Sequence, residues 1–167
     1  LGEEVELSTL YDVSHNIAQI EDHVIHGKNC TCVVHRKGAT RAFSGNQPDV
    51  HASFSDTGQP VVVPGDMGRG SWLMAGPRTQ QNQAFGSACH GAGRALSRSA
   101  ARKQINAEQK ENELRNKGIV VQAATKNILS EEAPEADKNV DQVIENTSRA
   151  NLARPVLRLE PMAVIKG

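Results

Sequence analysis

Val61-Val62-Val63-Pro64-Gly65-Asp66-Met67-Gly68-Arg69-Gly70-Ser71-Trp72-Leu73-Met74-Ala75 sets two apolar runs on either side of a glycine-rich turn. β-Branched valines favour extended backbone, and Pro-Gly-Asp followed by more glycine is turn chemistry, so the stretch reads as strand, turn, strand. Toward the N-terminus lies a polar loop from Ser44 to Gln59 with no apolar periodicity, a surface excursion, and before it an extended run from Thr31 to Ala42. From Val5 to Ile17 the residues Val5, Leu7, Thr9, Tyr11, Val13 and Ile17 fall on alternate positions, which predicts a strand with His15 on the same inward face. Toward the C-terminus, Gly86 to Arg94 reads as a loop running into an Ala-, Arg- and Ser-rich helical segment that ends near Lys103. Asn106 is placed to cap a helix that runs to about Lys117, where Gly118 supplies the stop before a strand-like Ile119-Val120-Val121. Val140, Val143 and Ile144 predict an amphipathic helix, followed by extended backbone from Val156 to Ile165. Strands and helices alternate without a regular βαβ rhythm, so the expected class is α+β, with mixed sheets in one domain over residues 1–167.

Charge narrows the function. The 167 residues hold 19 Lys and Arg against 19 Asp and Glu, so no global field draws in a polyanion and recognition must rest on local clusters. Two basic clusters stand out, at His35, Arg36, Lys37 and Arg41, and at Arg94, Arg98, Arg102 and Lys103. An acidic stretch from Glu131 to Glu145 reads as a solvated helix face. Aromatic residues make up only 3%, which argues against base stacking and leaves phosphate contacts as the way to hold nucleic acid. No run approaches the roughly 18 apolar residues of a membrane helix. Cys30, Cys32 and Cys89 form no disulfide framework, and Cys30-Thr31-Cys32 lacks a second ligand pair for zinc. A soluble, cytoplasmic protein in a reducing compartment is expected.

The chemistry centres on Gly86-Ser87-Ala88-Cys89-His90-Gly91-Ala92-Gly93-Arg94. Small residues around a histidine let backbone amides approach a phosphate closely. A helix beginning just after Gly91 would add its N-terminal amides and would carry Arg94 and Arg98 on one face as a phosphate clamp. Neutral imidazole is available near pH 7 and attacks phosphorus to give a phosphoramidate, the logic of nucleotidyl transfer. A histidine in a glycine loop is also a common turn residue, so the motif alone leaves a structural role open.

Cys89-His90-Gly91-Ala92-Gly93-Arg94 with Ser97-Arg98-Ser99-Ala100 resembles the guanylylated-histidine motif of RtcB-type RNA-splicing ligases. Further segments match that family in order: Tyr11-Asp12-Val13-Ser14-His15-Asn16, His35-Arg36-Lys37-Gly38-Ala39-Thr40-Arg41, Gly58-Gln59-Pro60, Pro64-Gly65-Asp66-Met67-Gly68, Glu131-Glu132-Ala133-Pro134 and Val164-Ile165-Lys166-Gly167. The resemblance implies that His90 takes GMP from GTP and passes it to an RNA 3′-phosphate before a 5′-hydroxyl closes the junction. It implies that His15 is one ligand of a Mn²⁺ pair and that Asn16 lies at the nucleotide. It also assigns Pro64, Gly65, Asp66, Met67 and Ser71, the loop residues Gly91, Ala92 and Gly93, and Lys166 to GTP and GMP binding. Lys37, Arg41, Arg94 and Arg98 are the candidate contacts to RNA phosphates or the triphosphate.

Two departures from the family stand out. Its earlier Asp, Cys and His metal ligands find no match in this sequence, so the chain is expected to be the C-terminal portion of the catalytic domain, completed by an N-terminal half. Asp66 stands where serine is common, and is expected to bring an extra negative charge toward the nucleotide. The resemblance raises an archease-like activator as a further partner. The alternative is a non-catalytic RNA- or protein-binding remnant of the same scaffold. A histidine-triad hydrolase fits poorly, because no His-x-His-x-His run occurs.

Overall fold

The computed structural model describes residues 6, 8–79 and 84–166. Nine strands and four α-helices follow among them: β1 Asn16–Ile25, β2 Lys28–Lys37, β3 Ala39–Arg41, β4 Pro60–Asp66, β5 Gly70–Ala75, β6 Ser87–Cys89, α1 Arg98–Gln104, α2 Ala107–Asn116, β7 Val120–Ala123, α3 Lys126–Glu131, α4 Val140–Arg149, β8 Arg154–Leu159 and β9 Ala163–Lys166. The class is α+β, as expected.

The stretch that opened the sequence reading forms the antiparallel pair β4–β5, with β8 added to the far edge of β5. Its turn is tighter than the sequence reading placed it. β4 carries Pro64 and Gly65 through an irregularity between Val63 and Asp66, and Asp66 pairs with Gly70. A Cβ at Gly65 would sit 1.9 Å from the Gly70 carbonyl oxygen, so only glycine lets the two backbones come this close. Inward-facing Val61, Val63 and Met74 from this sheet meet Val140 and Ile144 of α4, and Ala42, Ala88, Ala92 and Ala153 complete one core. Met67, from the turn between β4 and β5, enters a second core with Leu114, Ile119, Val121, Leu129, Ala133 and Val164.

Near the N-terminus the structure corrects the reading. Val5 and Leu7 lie outside the described residues, Thr9 to Ser14 is irregular, and the strand begins only at Asn16. The segment is held by a few side chains: Gln59 Nε2 donates to Tyr11 Oη, and Thr40 Oγ1 donates to the Ser14 carbonyl at 3.0 Å. Of the alternating residues, Tyr11, Val13 and Ile17 are half-buried, but Thr9 and His15 are exposed, so His15 does not face inward as expected: without a ladder the period of two is not carried into a buried face. The loop from Ser44 to Gln59 contains one 3-10 turn, Ala52–Phe54, and is mostly exposed.

The helix after the histidine loop starts late. Ser97 is its N-cap, with Oγ accepting from Ala100 N at 3.1 Å, so α1 begins at Arg98 rather than just after Gly91. α2 follows the expected plan: Asn106 Oδ1 accepts from Glu108 and Gln109 N at 3.0 Å, and Gly118 takes a φ of +79° at the stop. The acidic stretch is not one helix face. Glu131 ends α3, a 3-10 turn spans Pro134–Ala136, and only Asp141 and Glu145 lie on α4. Among the described residues no helix is long and apolar enough to cross a membrane.

Candidate active site

Two histidines from distant parts of the sequence meet at the end of the β1–β2 hairpin. The antiparallel register sets Asn16 opposite Lys37, and Gly38 N donates to the His15 carbonyl at 3.0 Å, closing that end. Gly38 has φ +69°, which turns the chain from β2 into β3 without steric cost. β3 pairs with β6 from Ala39–Cys89 to Arg41–Ser87, so His90 emerges from β6 next to Gly38, and its N donates to the Gly38 carbonyl at 3.4 Å. The His15 and His90 rings then stack, with centroids 3.9 Å apart and planes 13° from parallel. His15 is exposed and His90 half-buried. Burial, and secondarily the neighbouring His15, hold the His90 imidazole below its usual pKa and favour the neutral ring.

The loop after His90 lies along the end of β4. Ala92 N donates to the Pro64 carbonyl at 3.3 Å, and Lys138 N donates to the Gly93 carbonyl at 2.9 Å. A Cβ at Gly91 would meet nothing nearer than Pro64 O at 3.6 Å, so this face of the loop is open. The dense ring of free amides that the sequence motif suggests is only partly realised, because some of its N–H groups already serve the fold.

Arg94 and Arg98 do not share a helix face. Arg94 forms a bridge with Asp137, and its guanidinium donates to the carbonyls of Leu96 at 3.0 Å and Glu131 at 2.6 Å. It also faces Glu132 at 3.5 Å and Asp137 at 3.9 Å. Arg98 and Arg102 both approach the Glu131 carboxylate, at 3.6 and 3.3 Å. The basic and acidic runs read separately from sequence are thus partners. Arg41 lies 5.0 Å over the Phe43 ring and donates to the Asp49 carbonyl at 3.4 Å, toward the 44–59 loop, while Lys37 is exposed.

A cleft of about 290 Å³ opens beside the end of β4, lined by Pro64, Gly65, Asp66, Met67 and Ser71 and, across it, by Glu132, Asp137 and Lys166. Lys166 Nζ stands 3.6 Å from the Glu132 carboxylate. Burial pushes the Asp137 carboxyl up, and the Glu132 and Asp66 carboxylates add to this against the pull of Arg94 and Lys166. Glu132 and Asp137 were not singled out as site residues in the sequence reading; the only signal was the Glu131-Glu132-Ala133-Pro134 segment. Asp66 brings its negative charge to the edge of the cleft, but the carboxylate is engaged within the turn. Its Oδ1 accepts from Gly68 N at 2.9 Å and Arg69 N at 2.8 Å, and its Oδ2 faces Arg69 at 3.4 Å, so it closes the β4–β5 turn. Ser71 Oγ accepts from Gly65 N at 3.3 Å in the same turn.

Among the described residues, no three His, Cys, Asp or Glu groups gather closely enough to hold a metal ion. His15 offers a single exposed imidazole, so these residues do not by themselves make a two-metal site.

An α+β scaffold that stacks two histidines, and bonds the loop after one of them to the wall of a small cleft bearing acids and a lysine, defines the class of this protein by fold and site. Comparison with known proteins makes it specific: the family described as tRNA-splicing ligase RtcB matches residues 1–167, and the chain belongs to that family. It is 48% identical over 166 residues to the tRNA-splicing ligase RtcB of Thermococcus kodakarensis, covering 99% of this chain and 34% of that protein. The corresponding ligase of Pyrococcus abyssi is 46% identical over 165 residues, with 99% of this chain and 18% of that protein covered. That of Methanopyrus kandleri is 43% identical over 169 residues, 99% of this chain and 17% of its own length. The chain therefore spans between 17% and 34% of the length of these relatives.

Proposed function

We propose that this chain carries the histidine-bearing portion of a GTP- and Mn²⁺-dependent RNA ligase. The reaction joins RNA ends bearing a 3′-phosphate or 2′,3′-cyclic phosphate to 5′-hydroxyl ends, as in tRNA splicing and RNA repair, through a histidine–GMP intermediate. The observation that supports it most is His90 itself: half-buried, biased to the neutral imidazole, and set in an open glycine loop that is bonded to the wall of the cleft.

Neutral His90 attacks the α-phosphorus of GTP. A P–N bond forms, the α–β phosphoanhydride P–O bond breaks, pyrophosphate leaves, and the other ring nitrogen gives up its proton. Gly91, Ala92 and Gly93 leave room for the phosphate. Pro64, Gly65, Asp66, Met67 and Ser71 form one wall for the guanosine, Asn16 lies at the nucleotide, and Lys166 offers a donor to the base. Glu132 and Asp137 supply acceptors for the donor edge of guanine, which adenine lacks. Lys37 and Arg98 are exposed and serve as RNA or triphosphate contacts; Arg41 and Arg94 bring guanidinium groups partly engaged by the fold. His15 is the candidate metal ligand of this portion, and the described residues do not complete a ligand set around it. The same reading expects an archease-like activator, a cytoplasmic setting and an N-terminal half that completes the site.

The test is the intact mass of the full chain after incubation with GTP and Mn²⁺, with and without the remainder of the Thermococcus kodakarensis relative supplied as a separate polypeptide. A GMP-sized gain that maps to His90 and disappears in His90→Ala supports the ligase reading. No gain with the folded remainder present puts a non-catalytic RNA- or protein-binding scaffold in its place.

A further inference from the structure

Arg36 is the largest fully buried side chain of the described residues, and a buried guanidinium persists only when its donors are matched. Its fork meets Glu21, Nη1 to Oε1 at 2.6 Å and Nη2 to Oε2 at 2.9 Å. The remaining donors leave the hairpin: Nε reaches Ser87 Oγ at 2.9 Å and Nη2 reaches the Phe85 carbonyl at 2.8 Å. On the same inner face, His23 bonds Glu21 Oε2 at 2.9 Å and sets its ring edge against Phe85, centroids 5.2 Å apart.

What this group grips is the run that leads into His90. Phe85 and Gly86 take φ of +50° and +59°, and for phenylalanine the left-handed region is costly unless the surroundings impose it. β6 is only three residues long and ends immediately before His90. His15 stands at the open end of the same hairpin, just before β1, where Arg36 lies opposite Ile17. Both members of the stacked pair are thus referenced to one element, His15 through the backbone and His90 through Arg36.

We propose that the buried Glu21–Arg36 pair positions His90: by holding the Phe85 carbonyl and Ser87 Oγ it fixes where β6 delivers the imidazole against His15. Arg36 is a positioning residue and touches no reacting atom. Only the activity arm of the test rests on His90 as the GMP acceptor.

Two variants of the full chain test this, Ser87→Ala, which leaves Glu21, Arg36 and His23 in place, and Arg36→Lys, which keeps the charge and loses the fork. Histidine ring signals by NMR are the primary readout, since the stacked rings shift each other's resonances. In Ser87→Ala the His15 and His90 signals are expected to move while His23 stays, and in Arg36→Lys to move further. With the remainder of the ligase supplied, GMP uptake at saturating GTP falls roughly tenfold to a hundredfold, with half-saturation by GTP little changed. Unmoved His15 and His90 signals in Ser87→Ala overturn the proposal whether or not Arg36→Lys folds. So does a shift of all histidines together, which marks a merely structural role. If the unsubstituted chain takes up no GMP yet Ser87→Ala moves the His15 and His90 signals and leaves His23, the ligase reading fails and the positioning role stands.

Discussion

Glu21 shows how a single buried charge links stability to pH. Burial alone would raise its carboxyl, but the Arg36 fork and His23 outweigh this and hold it below the usual carboxylate value of 4.5. A depressed folded pKa means that the stabilisation is complete above the unfolded value and drains away as pH falls below it. The melting temperature is therefore expected to drop as pH is lowered from about 5, and Glu21→Gln should flatten that acid limb. At neutral pH the same substitution leaves Arg36 poorly matched and should cost about 3–5 kcal/mol in chemical denaturation. Glycines in the site separate in the same way by space alone. Gly91→Ala places its Cβ 3.6 Å from Pro64 O, an ordinary contact, so the fold is expected to survive while GMP uptake falls. Gly65→Ala meets Gly70 O at 1.9 Å and is expected to disrupt the β4–β5 turn, seen as a lower denaturation midpoint without any ligand.

At the scale of elements, α2 was legible because its ends are chemically marked. Asn106→Ala removes the acceptor for Glu108 and Gln109 N and should cost about 0.5–2 kcal/mol. Gly118→Ala finds open space but keeps φ at +79°, so its cost should be the left-handed penalty alone, about 1–2 kcal/mol, read from the same denaturation curves. α1 was misplaced because a cap is decided by which serine lacks a better use. Ser97 is free to cap Ala100, while the residues after Gly91 are drawn into bonds with Pro64 and Lys138 that no local rule anticipates. α3 went unread: it is six residues long, and Thr125 at its start makes no side-chain cap.

For the whole molecule, the two cores meet through the turn between β4 and β5, which also forms a wall of the cleft. Packing in the first core should dominate stability. Met74→Ala, at a site 1% exposed, is expected to cost about 2–5 kcal/mol, whereas Met162→Ser, at 83%, should stay within about half a kcal/mol by the same measurement.

The sequence by itself determined the α+β class, the β4–β5 strand pair, the bounds of α2, the presence of α4 and the family, because each is written in local periodicity, turn residues or ordered motifs. The family resemblance also singles out His90, His15 and Lys166 one by one. Their arrangement was not legible. That His15 stacks on His90, that Arg94 pairs with Glu132 and Asp137, and that Arg36 grips the run before His90 are contacts between segments far apart in sequence. Only the tertiary structure decides such contacts, because the energy of a buried charge or a stacked ring depends on which partner the fold brings to it, and no residue carries that information alone.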